Sequence, residues 1–219
     1  MSAPQKEESG NVHPLNRSWT LWYDSSSTYN TESWGLSLVP IITVKTVEDF
    51  FLMLKYMKPL HALRTSAQYH FFQEGVKPMW EDEANKGGGK LWVNIDPNSL
   101  VGNNSQAKGL LEDNTVGASN ASSNVVTERE RVDLDSIWKN VLMALVGEAL
   151  EDPDDPDLQI VGVVMAKRKY HNRLALWLKN GNNDSAIDSI KKRLIQEAPL
   201  HGLAPLAFTR HSDLAGGKG

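Results

Sequence analysis

The sequence predicts an α+β fold, a single curved, mainly antiparallel sheet with three helices on its convex face. Three observations lead there. Strand-like alternation dominates the early part of the chain. Three later segments carry apolar residues at the three-and-four spacing of amphipathic helices and lie between strand pairs. At 219 residues and 40% hydrophobic content, the chain suits one domain with one sizeable core. Helices whose apolar stripes all need a partner surface are most economically laid on one side of one sheet, and the other face is then free to hold a ligand.

The elements follow in order. Residues 1–12 read as a disordered tail. Ser18–Tyr23 alternates around Trp and Leu as a strand, and the polar, turn-rich stretch Asp24–Thr31 delivers Trp34 into non-periodic sequence. Pro40–Thr43 is a short strand. Thr46-Val-Glu-Asp49 forms a capping box for a helix with Val47, Phe50, Phe51 and Leu54 on its apolar side, ending before Pro59. Tyr69–Phe72 is a strand. After it a loop with Gly75 and Pro78 carries Met79-Trp80-Glu81-Asp82-Glu83, closes at Gly87-Gly88-Gly89, and gives way to the strand Lys90–Ile95.

Residues 96–131 are rich in Gly, Asn and Ser and read as a long loop within a domain spanning 13–213. The strongest helix follows, with Leu134, Ile137, Trp138, Val141, Leu142, Leu145, Val146 and Ala149 on one stripe, and it stops at the acidic, twice-Pro linker Glu151–Asp157. Ile160–Lys167 and Arg173–Leu178 form a hairpin around a basic turn. Asp184 or Ser185 caps a third helix reaching about Glu197, with Ile187, Ile190 and Leu194 inward. Leu206–Phe208 is a last strand, and 214–219 reads as a flexible tail.

Composition narrows the function. The formal charge is -4, yet Lys167, Arg168, Lys169 and Arg173 crowd one turn while acids gather in 148–157. A protein gripping a long phosphate track needs a broader basic surface, so any nucleic-acid contact is short and chemically specific. With no cysteine, thiolate chemistry and zinc–thiolate sites are excluded. No apolar run has the length of a membrane span or the form of a signal peptide. The expectation is a cytoplasmic protein with a nuclear fraction, without a metal or cofactor and monomeric apart from its partners. Phosphate loops of the GxxxxGK[ST] type, HExxH and GxSxG are all missing, and His61, His70 and His171 have no carboxylate partner placed by sequence. A non-enzymatic role follows.

Seven tryptophans are the unusual feature. Most belong in a core, but Trp34 and Trp80 each sit in a flexible segment. Two indole faces can stack a cationic base through dispersion and cation–π attraction, roughly 1–2 kcal/mol per face. Beside Trp80, Glu81 can accept a parallel pair of N–H bonds from guanine N1 and N2, which adenine cannot supply. The basic turn has the size of a triphosphate site. Each signal has a plain structural reading by itself: a core anchor, a solvated acidic turn, a solubilising charge run. Together they describe a mononucleotide-like anion with a cationic base.

Several segments, in order, closely resemble the eukaryotic translation initiation factor 4E family. They are His13-Pro14-Leu15, Trp19-Thr20-Leu21-Trp22-Tyr23, Glu32-Ser33-Trp34, Thr46-Val47-Glu48-Asp49-Phe50, Pro78-Met79-Trp80-Glu81-Asp82-Glu83-Ala84-Asn85, Gly88-Gly89-Lys90 and Gly147-Glu148. The resemblance covers most of 13–213. It implies a cupped antiparallel sheet backed by three long helices and a protein that binds the 7-methylguanosine cap of mRNA. Trp34 and Trp80 match the cap-sandwiching pair and Glu81 the carboxylate that reads guanine. Arg168 and Arg173 match phosphate-binding positions, and Trp177 matches the family's tryptophan beside the methyl group. Trp19, Trp22, Trp92 and Trp138 match structural tryptophans.

The same resemblance implies a partner surface of His13, Pro14, Leu15, Val47, Phe51, Lys139 and Met143, where the Tyr-x-x-x-x-Leu-Φ helix of a 4G-type scaffold or a 4E-binding protein docks. Phe51 replaces a tryptophan usual there and Lys139 a leucine, so partner choice departs from the family's pattern. The insertion 96–131 is far longer than the turn usual at its place. The leading expectation is a cap-binding subunit recruiting a 4G-type scaffold for translation initiation. The alternative is a cap-binding repressor or mRNA storage adaptor.

Overall fold

A computed structural model describes residues 12–25, 37–96, 133–152, 159–198, 200 and 205–215. Trp34, the N-terminal tail through residue 11 and nearly all of the insertion lie outside the described residues. Among the described residues seven strands form one sheet, β1 (Pro14–Asp24), β2 (Leu38–Thr46), β3 (Gln68–Gln73), β4 (Gly89–Ile95), β5 (Ile160–Ala166), β6 (Asn172–Leu178) and β7 (Ala207–Arg210). Their order is β2-β1-β3-β5-β6-β4-β7, and every pairing is antiparallel. The longer helices are α1 (Val47–Tyr56), α3 (Leu134–Val146) and α4 (Asp184–Glu197), with short helices α2 (Glu83–Lys86) and α5 (His211–Ala215). All seven strands and three long helices expected from the pattern are present, whereas strand β2 is longer than its apolar run and α2 and α5 carry no stripe to announce them.

The period-two alternation of the strands assigns the two faces. Leu91, Val93 and Ile95 of β4, Leu174, Leu176 and Leu178 of β6, Phe71 of β3, and Trp19 and Leu21 of β1 point to the convex side. There they meet Phe50 and Met53 of α1, Ile137, Trp138, Val141, Leu142 and Leu145 of α3, and Ile187, Ile190 and Leu194 of α4. Trp19 stacks on Phe71 at 5.4 Å. Each such buried side chain contributes about 1.5–3 kcal/mol relative to exposure, which is why this face, and not the other, carries the helices.

Helix ends show how local sequence sets the boundaries. The Thr46 hydroxyl accepts from the Asp49 amide at 3.1 Å, as the capping box predicts. For α4 the cap is Asn183 instead of Asp184 or Ser185. Its side-chain oxygen accepts from the Ala186 amide at 3.1 Å, and Asp184 becomes the first helical residue, where its charge favours the helix N-terminus. α3 ends at Val146, three residues before Ala149. Glu148 adopts φ 56°, its amide donates to the Leu145 carbonyl at 3.2 Å, and the Ala149 amide donates to Ala144 at 2.9 Å. That is a Schellman ending with glutamate where glycine is usual.

Candidate functional site

The face without helices is laid out in three rows by strand register. The first row runs Thr20, Phe72, Gly162, Trp177, Lys90 and Thr209. The second runs Trp22, His70, Val164, Ala175 and Trp92, and the third Asp24, Gln68, Ala166, Arg173 and Asn94. Apolar residues hold the middle, where Phe72, Val161, Val164, Ala175 and Trp177 form a second cluster with Val76, Trp80 and Trp92 packed against it. Phe72 meets Trp177 edge-on at 5.4 Å. The Phe72 ring occupies the space a Cβ on Gly162 would need, with 2.4 Å between them, so glycine there lets an aromatic lie flat on the sheet.

Trp80 and Glu81 belong to the loop from β3 to β4. The amide of buried Asn85 donates to the carbonyls of Lys77 at 2.9 Å and Met79 at 2.7 Å. Asp82 accepts from the amides of Lys77 at 3.1 Å and Ala84 at 3.0 Å. Gly88 lies against the Leu178 carbonyl, where a Cβ would come within 1.9 Å. His211 closes the back, with its amide donating to the Gly88 carbonyl at 3.0 Å and its Nδ1 bonded to the Asn85 carbonyl at 2.9 Å. Asp82 and Asn85 therefore shape the loop, and Glu83 pairs with Lys86. Trp80 is half-buried against the apolar cluster, while Glu81 is exposed and has no hydrogen bond or ion pair among the described residues.

Three cations share this face. Arg173 donates from Nε to Asn94 Oδ1 at 2.9 Å and lies over the Trp92 ring at 4.5 Å. Arg168 donates to Gln68 Oε1 at 3.4 Å, and Trp92 itself is fixed by its indole N–H to Thr209 Oγ1 at 3.0 Å. Burial, then the charges of Arg173 and Arg168, push the Lys90 pKa down. Burial and Arg168 do the same to Arg173. Mutually repelling, partly desolvated cations are a site that an anion would relieve.

One cation of the basic turn does not join this cluster. Lys167 turns away, its ammonium donating to the carbonyls of Leu60 at 3.1 Å, His61 at 2.7 Å and Leu63 at 2.8 Å. Lys90 takes its place in the cluster, and alternation alone could have found it, since Leu91, Val93 and Ile95 inward put Lys90 on the opposite face. Trp19 and Trp138 are fully buried structural rings. Trp22 and Trp92, matched with them to structural tryptophans, sit half-buried on the uncovered face.

The other proposed surface lies on the far side of the molecule. The Val47 amide donates to the His13 carbonyl at 2.8 Å, and His13 Nδ1 meets Glu48 Oε1 at 2.7 Å. These contacts pin Pro14 and Leu15 to the first turn of α1. Hydrogen bonds from His13 hold the Glu48 carboxyl down to about 2. Phe51 is 55% exposed and Met143 41% exposed, and exposed Lys139 stands one turn before Met143 on α3.

The chain matches the family described as Eukaryotic initiation factor 4E over residues 14–218. It is 32% identical to eukaryotic translation initiation factor 4E of Saccharomyces cerevisiae over 93% of this chain and 79% of that one. Against the Candida albicans factor of the same name it is 30% identical over 94% of this chain and 83% of that one. Among solved structures, C. elegans eIF4E-3 in complex with the 4E-binding protein Mextli and a cap analog superposes with a TM-score of 0.70 at 27% identity, covering 94% and 96% of the two chains. Ascaris suum eIF4E-3 with an m2,2,7G cap gives 0.69 at 26%, covering 92% of each.

Proposed function

Because the chain belongs to the eukaryotic initiation factor 4E family, we propose that its uncovered sheet face binds the 7-methylguanosine 5′ cap of mRNA. The observation that carries this is the joint presence, on one face, of an uncommitted carboxylate beside a half-buried indole and of three crowded cations. Trp80 and Trp34 stack the methylated base from two sides. The Trp80 amide donates to guanine O6, Glu81 accepts from N1 and N2, and Trp177 borders the methyl group. Lys90, Arg168 and Arg173 take the phosphates. Row one and row three are four residues apart along the strands, roughly 13 Å, a span suited to a triphosphate. The similar Ascaris suum and C. elegans proteins are described with a cap or cap analog, which supports the same reading.

Isothermal titration with 7-methyl-GTP and GTP tests it. Stacking of a charged ring makes the methylated nucleotide bind at least about tenfold tighter. Trp80→Ala loses about 1–3 kcal/mol of that affinity, and Glu81→Gln weakens guanine reading through the loss of charge and one acceptor. Equal affinities for the two nucleotides would overturn the reading.

In its fuller form, the proposal is that this protein recruits a 4G-type scaffold for translation initiation through the surface of His13, Pro14, Leu15, Val47, Phe51, Lys139 and Met143. One observation favours the second reading, a cap-binding repressor or storage adaptor. The exposed Lys139 ammonium sits beside Met143 on the helix that would receive the scaffold's apolar residues. Identification of the proteins retained with it on a 7-methyl-GTP resin separates the two.

A further inference from the structure

The cation row does not stop at the sheet. Beyond Ala166 and Arg173, the last register pair of β5 and β6, the chain continues as a hairpin tip, residues 167–171. At the tip Tyr170 is 77% exposed, with the Lys169 ammonium 5.1 Å from its ring centroid.

An exposed tyrosine alone signals nothing. Here two further observations distinguish it. The tip is fixed from below, because the Ser66 amide donates to the Lys167 carbonyl at 2.8 Å, the Lys167 amide donates to Ala67 at 2.9 Å, and the Lys167 ammonium is held by three carbonyls. An aromatic presented on an anchored turn loses little freedom when a partner stacks on it. Direction is the second. From Lys90 through Arg173 to Arg168, the positive groups lead away from Trp80 and toward Tyr170. Tyr170 lies three positions before Arg173, a reach of at most about 10 Å, which is of the order of one nucleotide's backbone.

We infer that Tyr170 is a stacking platform for a base of the RNA next to the cap, with Lys169 supplying charge to the adjoining phosphate. This rests on the cap-binding reading above. Base–aromatic stacking tolerates any sequence, so the tip lengthens the recognised ligand without selecting one message over another.

The test titrates 7-methyl-GTP and a capped tetranucleotide into the full chain and into Tyr170→Ala, Tyr170→Phe and Lys169→Ala. Tyr170→Ala is expected to leave 7-methyl-GTP affinity within twofold and weaken the capped tetranucleotide roughly five- to tenfold. Tyr170→Phe, which keeps the ring, restores it. Lys169→Ala lowers the salt dependence of tetranucleotide binding by about one unit of slope, and Tyr170→Ala leaves that slope unchanged. The inference is overturned if the wild-type chain binds the two ligands equally, if Tyr170→Ala changes neither, or if it weakens both alike. Failure of the wild-type chain to bind 7-methyl-GTP at all would instead remove the cap-binding reading.

Discussion

At the centre of the uncovered face stands His70, 2% exposed between Trp22 and Val164, with neither ring nitrogen hydrogen-bonded among the described residues. Burial pushes its pKa down from 6.5 to about 4, with Asp24 opposing the shift and Arg168 adding to it. The unfolded chain takes up this proton near 6.5. Between about 6.5 and 4 the unfolded state therefore binds more protons than the folded one, so the stability due to neutral His70 is complete above about 6.5 and declines as pH falls. By pH 4.5 the loss is about 2 kcal/mol. His70→Phe should flatten this slope, though not abolish it, because burial also lowers the His211 pKa. Urea midpoints at pH 7.5 and 4.5 check it, and an identical drop in wild type and variant would contradict the assignment. By local pattern His70 reads as an ordinary structural or surface histidine. Its burial is a product of strand register, which no local pattern encodes. Lys90 differs, since simple alternation in β4 places it on the face of the cations although it stands far in sequence from the basic turn.

Whole elements were the most legible level, and the reason is physical. Period 3.6 in α1, α3 and α4 comes from the same side chains that bury against the sheet, so pattern and packing are one fact seen twice. Ends were less legible. α3 stops early because Glu148 takes a left-handed backbone to close the Schellman turn, and its carboxylate then reaches Asn16 at 3.1 Å and Arg17 at 3.1 Å. A partner over a hundred residues away leaves no mark in the local sequence. The outer face of α3 yields the prediction belonging to this scale. Lys139 can bend its ammonium into water but not bury it cheaply, so Lys139→Leu should tighten a Tyr-x-x-x-x-Leu-Φ peptide by about 1 kcal/mol, with 7-methyl-GTP affinity unchanged. Fluorescence anisotropy of the labelled peptide measures this. A weaker or equal peptide affinity would mean that the helix docks elsewhere.

Across the whole molecule, one sheet separates a helix-packed side from an open one, and that division follows from the periodicity of the helices and strands. What joins distant parts of the chain did not. The acids of 148–157 looked like a charged linker, yet Glu151 is 4% exposed and its Oε1 accepts from the amides of Gln159 at 2.5 Å and Ile160 at 2.8 Å. Its other oxygen meets Arg17 Nη2 at 2.5 Å, while Arg17 also donates to Glu148 and to the Ile160 carbonyl at 3.3 Å and lies over the Trp19 ring at 5.1 Å. One guanidinium thus fastens β1, the end of α3 and the start of β5. Replacing it by methionine keeps the packing stem but leaves a buried carboxylate without its cation, which costs about 3 kcal/mol or more. Arg17→Met should therefore lower the guanidinium chloride midpoint sharply. Adding Glu151→Gln should cost less than the two single losses together, with a coupling of about 1–3 kcal/mol, because the second change removes the charge that the first one stranded. Cap-analogue affinity of the folded variants should stay near wild type, since the clamp sits with Trp19 on the helix-covered side and touches none of the three rows. Additive losses would show that Arg17 and Glu151 act separately, and a large fall in cap affinity without a shift in midpoint would show that the clamp serves the binding face instead of the fold.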